Sequence, residues 1–233
     1  LILKYSSLTL FNMTVKVLHI ISSLGEGGAQ KILKEVCLNN NKLIHSVVCL
    51  KTGRYREILN SKNIKVYFLD IKRKPLRSLY HLFIILNYDI KPNIIHTWMY
   101  HADLLGSFIK FFWFGKKKYL FWNVRNGTLK KGSSSFITRR IRNVLSILSF
   151  FIPDKIVYCS NNVKLIHESL GYNNKVGEVI NNGVDTNYFN WGRQTPFKKD
   201  IYKIGFIGRY SAQKNLDLLF KSLFILKKEK ISF

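Results

Sequence analysis

The chain has 233 residues, of which 47% are apolar and 14% aromatic, and it carries a formal net charge of +25. This length leaves room for one large α/β domain or two small ones, and the apolar content argues against intrinsic disorder. The charge predicts an anionic partner, which would be nucleic acid, an anionic membrane face or a phosphorylated substrate. The basic residues are spread along the chain, so a compositional bias without function remains an alternative for part of the excess.

Seven short runs rich in β-branched residues predict strands, and longer helical patterns separate them. The strands are predicted at 15–21, 45–51, 65–69, 93–98, 118–124, 155–160 and 176–180. The helices are predicted near 28–40, 54–62, 76–88, 102–113, 135–150 and 161–170. Regular alternation of strand and helix indicates the α/β class, with a Rossmann-like, doubly wound parallel sheet covered on both faces.

The remaining segments predict how the chain divides into domains. Residues 1–14 form a weakly apolar tail, 15–190 form the Rossmann-like domain, and 191–200 lie in a linker rich in Pro and charge. Residues 201–233 begin a second unit of the same kind. In that unit YKIGFIG (202–208) predicts a strand, and an amphipathic helix follows with apolar positions at Leu216, Leu219, Phe220, Leu223 and Leu226.

Cysteine and histidine spacing predicts no metal site. Three cysteines lie singly inside apolar runs, which is typical of core residues in a reducing compartment; these are Cys37, Cys49 and Cys159. His19, His96 and His101 fit no zinc-binding pattern, and His96 is expected in the core or at an edge of the sheet. No apolar run reaches the length of a membrane-spanning helix, and the N-terminus is a poor signal peptide.

A glycine-rich turn follows the first predicted strand and opens a helix. Backbone N–H groups at a helix N-terminus bind anionic oxygen, and glycine lets a ligand approach closely. Gly25 and Gly27 fit a dinucleotide fingerprint, but its sixth position is Gln30, and the second strand ends at Leu50 and Lys51 without an acidic residue. A nicotinamide oxidoreductase is therefore disfavoured, and the alternatives are an anion-binding loop and a simple flexible turn.

Four stretches occur together in a characteristic order. They are EGGAQKIL after the first strand, NIIHTWMYHADLLG (93–106), YCSNNVKLIHESLGYNNKVGEVINNGVDTNYF (158–189) and IGFIGRYSAQKN (204–215). In these stretches the chain resembles the GT-B glycosyltransferases of family 4, also called group 1 glycosyl transferases. The resemblance covers roughly residues 15–228, and INNGVDTNYF and GRxxxQKN are its most specific parts.

The resemblance implies two Rossmann-like domains that face each other across a cleft. Residues 15–190 are then the acceptor-side domain, and 201–233 begin the donor-binding domain. The implied reaction transfers a hexose from a nucleotide-sugar to a lipid-linked or oligosaccharide acceptor in bacterial surface polysaccharide biosynthesis (LPS, O-antigen or capsule). The resemblance implies no cofactor and no metal, and it implies a cytoplasmic protein at the inner face of the plasma membrane.

The resemblance also assigns residues to the donor diphosphate. Arg209 and Lys214 match the family's cationic pair, and two fixed cations stabilise a departing nucleoside diphosphate without a metal. Gly27 and Gly28 match the loop that faces the donor phosphates from the opposite wall. For Arg209 and Lys214 taken alone, the alternative is that they are incidental, solvent-exposed residues at the start of a helix.

Two further residues are implied on the acceptor side. His101 matches a histidine just after the fourth strand, where it would position a sugar or acceptor hydroxyl as a catalytic residue. Arg125, after the fifth strand, would hold an acceptor phosphate. The alternatives are an ordinary polar residue at a helix N-terminus for His101 and a surface arginine for Arg125.

One part of the family pattern is missing. Family members carry a Glu-x7-Glu motif well downstream of the cationic pair, whereas the chain has only Asp217 and Glu229 after Lys214, both on the predicted helix. We therefore expect a chain cut within the donor-binding domain, inactive or nearly so by itself, with the apolar helix face of residues 201–233 lacking partners.

A membrane surface and nucleic acid remain alternative partners. Residues 133–153 place Arg139, Arg140 and Arg142 beside an apolar helix, and an aromatic-basic stretch lies at 111–118. Such a helix could lie on an anionic leaflet, although its apolar residues could equally pack into the core. A basic nucleic-acid-binding or membrane-surface-binding protein without catalytic activity is the competing function. No nucleic-acid module is present, so no specific nucleic-acid partner is expected.

Overall fold

The computed structural model describes residues 14–112, 118–127, 134–189, 203–208, 210 and 214–231. The chain divides into two compact units, which are described separately. The first unit comprises residues 1–127 and 136–183, and the second comprises 128–135 and 184–233. Residues 1–13 of the tail predicted over 1–14, and the linker predicted at 191–200, lie outside the described residues.

A seven-stranded parallel sheet forms the centre of the first unit, in the order β3-β2-β1-β4-β5-β6-β7. The strands are β1 Lys16–Ile21, β2 Ile44–Cys49, β3 Lys65–Phe68, β4 Ile94–Trp98, β5 Tyr119–Val124, β6 Lys155–Tyr158 and β7 Gly177–Val179. Strand β4 is buried over its whole length. Burial on both faces explains why the strands read as continuous apolar runs and not as alternating patterns.

Six helices connect these strands. They are α1 Gly28–Asn39, α2 Tyr55–Asn60, α3 Pro75–Ile84, α4 Tyr100–Phe112, α5 Phe136–Leu148 and α6 Asn161–Ser169. Helix α3 continues into a π-helical turn at Ile85–Asp89, and a 3₁₀ turn at Asn174–Val176 precedes β7. No helix within the described ranges is both long enough and apolar enough to cross a bilayer.

The two faces of the sheet are covered by different helices. On one face α1 contributes Leu33 and Cys37 to a core that also contains Val47 and Trp98. On the other face α4 packs closely against β4: a methyl group at Gly106 would overlap the Thr97 side chain. Glycine at that position therefore allows the helix to approach the sheet.

The predicted fold class is confirmed, and each of the seven strand predictions matches an observed strand with small shifts of its ends. Cys37 and Cys49 are buried, and all three cysteines are free thiols. Burial raises the pKa of Cys37 to about 12 and that of Cys49 to about 11. Both are therefore uncharged core groups.

The second unit contains helix α7, Leu216–Lys228, which the apolar spacing predicted. None of its residues is buried, and Phe220 and Phe224 are exposed, as expected for an apolar face without partners. The strand predicted at 202–208 is not observed, because the described residues 203–208 pair with no other strand. A strand requires a neighbour for its backbone hydrogen bonds, and no other strand lies in the described part of this unit.

Candidate functional site at the carboxyl edge of the sheet

The sheet reverses its direction of growth between β1 and β4. The first three strands extend it one way, and β4 to β7 extend it the other way from β1. Parallel α/β sheets open a crevice at such a point, beyond the carboxyl ends of the strands. The register places Ile21, Trp98 and Asn123 side by side at that edge, so the residues that follow them share one rim.

The glycine turn forms one wall of this rim. Gly27 is the N-cap of α1 with an extended backbone (φ −176°), and no side chain caps the helix. The first turn of α1 has no acidic residue, and a methyl group on Gly28 would meet no atom within 4 Å. The Gln30 side chain folds against Gly27. The backbone is therefore open at Gly28, at a helix N-terminus, which is the geometry that favours an anion, whereas Gln30 occupies the space beside Gly27.

A second loop fixes the position of this turn. The Leu24 N–H donates to the Lys51 carbonyl at 3.0 Å, and the Tyr55 N–H donates to the Leu24 carbonyl at 3.2 Å. A methyl group on Gly53 would lie 2.5 Å from the Gly25 nitrogen, so glycine is required there for backbone-to-backbone contact. Sequence reasoning missed Gly53, although an isolated glycine just after a strand is the signal that indicates such contact.

His101 lies on the same rim, in the first turn of α4. The preceding Met99 has a left-handed backbone (φ 72°), an uncommon conformation for a residue other than glycine. Desolvation lowers the pKa of His101, and the positive charge of Lys72 lowers it further. His101 is exposed, and the geometry alone fits both the proposed positioning role and an ordinary residue at the start of a helix.

Arg125 lies two residues beyond Asn123 and is held on several sides. Its Nε donates to Asn123 Oδ1 at 2.9 Å, and Nη1 donates to Asn182 Oδ1. The guanidinium lies over the Trp98 ring, 4.9 Å from its centre. Asn182 belongs to the INNGV stretch after β7, so a residue from the C-terminal end of the first unit meets a residue that follows one of its central strands. Arg125 is therefore a fixed group and not a mobile surface arginine.

A chain of buried hydrogen bonds runs beneath the rim. The Trp98 indole N–H donates to His19 Nδ1 at 3.2 Å, which places the His19 proton on Nε2. That nitrogen lies 3.0 Å from His45 Nδ1, and His45 Nε2 lies 3.2 Å from the Asn40 carbonyl. Each donor in this chain meets an acceptor, and burial, the largest cause, lowers the pKa of both histidines.

The same two histidines and Cys37 form a cluster that could hold a metal ion, with ligand atoms within 4.8 Å of one another. A metal ion bound to His19 Nε2 would move the ring proton to Nδ1, and this N–H would then face the Trp98 N–H, so two donors would meet without an acceptor. A metal ion bound to Nδ1 would displace the Trp98 indole from its hydrogen bond. The raised pKa of the thiol also disfavours the thiolate that a metal needs. The cluster fits a neutral hydrogen-bonded core better than a metal centre.

His96 connects Arg125 to this interior. Asn123 Nδ2 donates to His96 Nε2 at 3.1 Å. The orientation of this amide follows from Arg125, because the Arg125 Nε–H needs an acceptor and therefore faces the amide oxygen. The His96 proton therefore lies on Nδ1, which is buried without a partner. Burial, with the Arg125 charge as the second cause, lowers the pKa of His96 to about 3, so the ring is neutral. His96 is buried, as expected from the sequence.

The donor-side residues belong to the second unit. Arg209 lies outside the described residues, so the predicted Arg209–Lys214 pair stays a prediction. Lys214 is exposed just before α7. Its Cδ would lie 3.8 Å from a methyl group built on Gly208. The lysine stem thus passes close to the backbone immediately preceding Arg209.

Comparison with known proteins gives one curated relative. No protein-family model matches the chain. Over 225 residues the chain is 28% identical to the capsular polysaccharide biosynthesis glycosyltransferase CapH of Staphylococcus aureus, covering 92% of this chain and 59% of CapH. The chain thus spans less than two thirds of the length of this relative.

Solved structures share the fold of the chain at low identity. A crystal structure of Anabaena Alr3699/HepE in complex with UDP matches with a TM-score of 0.62 and 15% identity, over 77% of this chain and 47% of HepE. The lipopolysaccharide outer core galactosyltransferase WaaB matches with a TM-score of 0.50 and 18% identity, over 73% of this chain and 46% of WaaB. The chain therefore shares the Rossmann-like α/β fold of the matched parts of these structures.

Proposed function

We propose that the chain is the acceptor-side part of a GT-B glycosyltransferase of family 4. The enzyme transfers a hexose from a nucleotide-sugar to a lipid-linked or oligosaccharide hydroxyl during the assembly of a bacterial surface polysaccharide. The observation that carries this proposal is the sequence relation to CapH, a capsular polysaccharide glycosyltransferase, over 92% of the chain. HepE structures that contain UDP and UDP-glucose support a nucleotide-sugar as the donor.

The proposed reaction exchanges one bond for another. The acceptor hydroxyl oxygen forms a bond to the anomeric carbon and loses its proton, and the bond from that carbon to the diphosphate breaks. The leaving nucleoside diphosphate gains negative charge, which Arg209 and Lys214 stabilise in place of a metal. Within the first unit, backbone N–H groups at the start of α1, at Gly27 and Gly28, are proposed to bind phosphate oxygens of the donor.

The acceptor occupies the rim formed by β4 and β5 in this proposal. His101 positions the reacting hydroxyl from the first turn of α4, and Arg125 holds an anionic group of the acceptor. Both residues follow strands that are neighbours in the sheet, and Trp98 and Asn123 are paired in register. Two fixed groups on adjacent strands would orient the acceptor, and orientation of the reacting groups lowers the barrier to transfer.

Helix α5 supports attachment to an anionic membrane at the cytoplasmic face. Most of its apolar residues are exposed: Leu145 is its one fully buried side chain, whereas Ile137 is 65% and Ile147 is 67% exposed. Phe150 and Phe151, just beyond the helix, are also exposed. With the arginines of the same helix, this surface has the composition of an interfacial amphipathic helix.

Deletion of the encoding gene in the source bacterium tests the proposed transfer, and the test does not depend on activity of the isolated chain. We expect a lipid-linked intermediate one hexose shorter than the normal precursor to accumulate, as measured by mass spectrometry of lipid extracts. Reintroducing the wild-type gene should restore the precursor. Unchanged lipid-linked intermediates and surface polysaccharide after deletion would refute the proposal.

Flotation with vesicles tests the membrane contact. The chain should float with vesicles of phosphatidylglycerol and phosphatidylcholine at low salt, and Ile147→Asp should reduce the floated fraction. Ser146→Asp adds the same charge at the neighbouring position and is the matched control. Equal flotation of the two variants, or no flotation of the wild type at low salt, would contradict insertion of this apolar face.

A further inference from the structure

Arg125 is a partly buried cation that no carboxylate of the described residues neutralises. Burial lowers the pKa of its guanidinium, although the group remains charged because the intrinsic value is so high. Among the described residues, no carboxylate forms an ion pair with Arg125. Arginine is rarely removed from water unless its charge is paired, because desolvation of a charge is costly. An uncompensated charge of this kind indicates a partner that binds from outside.

The contacts of Arg125 hold the guanidinium without neutralising it. Asn123 and Asn182 accept through neutral amide oxygens, and Trp98 supplies an aromatic face. Within the described part of the chain, these hydrogen bonds use Nε and one N–H of Nη1. Since a guanidinium has five N–H groups, three remain for a ligand, enough for a bidentate contact with an oxyanion.

We propose that Trp98, Asn123 and Asn182 form a cradle that presents Arg125 to an oxyanion of the acceptor, such as a phosphate or a uronate carboxylate. Asn123 and Asn182 are positioning residues, because they fix the guanidinium and need not touch the ligand. His96 in turn fixes the Asn123 amide at 3.1 Å. Calling the ligand the acceptor rests on the proposed function, whereas oxyanion binding at Arg125 can be measured without any transfer.

Isothermal titration at low salt tests the cradle, with glucose 1-phosphate, glucuronate and glucose as probes. Glucose 1-phosphate or glucuronate should bind more tightly than glucose, and the tighter of the two identifies the oxyanion. Arg125→Ala should weaken that binding by about tenfold or more, since charge-assisted bidentate contacts are lost. Arg77→Ala removes the same charge from an exposed position on α3 and should change affinity less than about twofold.

Asn182→Asp separates positioning from structural support. Asn182 is exposed, and the Asp side chain would supply a carboxylate to pair with Arg125. The variant should therefore fold and melt at an equal or higher temperature than the wild type. It should also lose oxyanion binding more completely than Asn182→Ala, because its own carboxylate would compete for the guanidinium. If Asn182 had only a structural role, a substitution that keeps or raises the melting temperature would not abolish oxyanion binding. Asn123→Ala is less informative on its own, because Asn123 is buried and its loss could destabilise the fold.

Three results would overturn the proposal. The first is equal affinity for glucose and for both anionic sugars, and the second is an effect of Arg125→Ala no larger than that of Arg77→Ala. The third is unchanged oxyanion binding in Asn182→Asp. None of these results bears on hexose transfer, which the gene deletion tests separately. Normal binding with unchanged lipid-linked intermediates after deletion would refute the transfer and leave the oxyanion site in place.

Discussion

Replacement of Asp103 by Asn should make the first unit more stable above neutral pH. Asp103 lies in α4 and is fully buried, and it accepts a hydrogen bond from the Thr97 hydroxyl at 2.6 Å on Oδ1. Its Oδ2 has no hydrogen-bond partner within the described part of the chain. Burial, opposed by the bond from Thr97, raises the pKa of Asp103 from 3.8 to about 7. The carboxyl therefore binds its proton more tightly in the folded state than in the unfolded state.

The pKa difference sets the direction and size of the effect. The stabilisation from the bound proton is complete below pH 4 and is lost as the pH rises to about 7, the folded-state value. A difference of about three pKa units corresponds to at most about 4 kcal/mol, at 1.36 kcal/mol per unit. Asn keeps the oxygen that accepts from Thr97 and cannot ionise, so Asp103→Asn should not show this loss.

Urea unfolding of both proteins between pH 4 and pH 8 measures the difference in the free energy of unfolding. Because other titrating groups are common to both proteins, the difference between the two curves isolates Asp103. We expect the Asn variant to gain stability relative to the wild type as the pH rises, by several kcal/mol in total. A constant difference across this range, or a gain toward acidic pH, would refute the assignment of a raised pKa to a buried carboxyl.

Three further substitutions and one control variant test local contacts in the first unit. Gly53→Ala should lower the free energy of unfolding by about 1–3 kcal/mol, because the added methyl group would meet the Gly25 backbone. Gly28→Ala is the control, since a methyl group there would meet no atom within 4 Å. Equal stability of the two variants would contradict the contact between Gly53 and Gly25. Gly106→Ala should cost a similar amount, measured by the same urea titration, because the methyl group overlaps a strand residue; a neutral result would argue against close helix–sheet packing. Trp98→Phe removes the indole N–H that donates to His19 Nδ1 and should therefore permit Zn²⁺ binding, measured by competition with a chromophoric chelator. The wild type should bind Zn²⁺ weakly. Tight binding by the wild type would refute the assignment of the His19 proton to Nε2.

The sequence was sufficient to predict the fold of the first unit because its signals are local. Each strand is a short apolar run bounded by polar residues, and each helix shows its own period, so the α/β alternation is readable without tertiary information. The strand predicted at 202–208 is not observed, because strand formation also depends on a non-local contact. A suitable run of residues becomes a strand only beside a partner, and pairing cannot be read from the run itself.

The site was predictable only in part, since its organisation depends on contacts between distant residues. His101 and Arg125 could be singled out because each follows a strand closely. The cradle could not, because Arg125 and Asn182 are 57 positions apart. The buried pair of Trp98 and His19 is even further apart in sequence, by 79 positions. No spacing rule connects such residues before the sheet register is known.

The exposed surface of α5 shows a further limit of sequence reasoning. Its apolar residues fit a core-facing stripe and a membrane-facing stripe equally well, because hydrophobic spacing does not reveal what covers it. The burial of Leu145, against the exposure of Ile137 and Ile147, decides that most of this stripe does not face the core. Only the three-dimensional structure shows which of these apolar side chains are exposed.

Hydrogen–deuterium exchange of the wild-type chain, with and without the anionic sugar that binds more tightly, tests the central claim most directly. If the carboxyl edge at β4 and β5 is the acceptor site, protection should appear at residues 99–101 and 125–127. Arg125→Ala should abolish that protection. Protection confined to other surfaces of the first unit, or unchanged exchange at this edge under saturating ligand, would contradict the account.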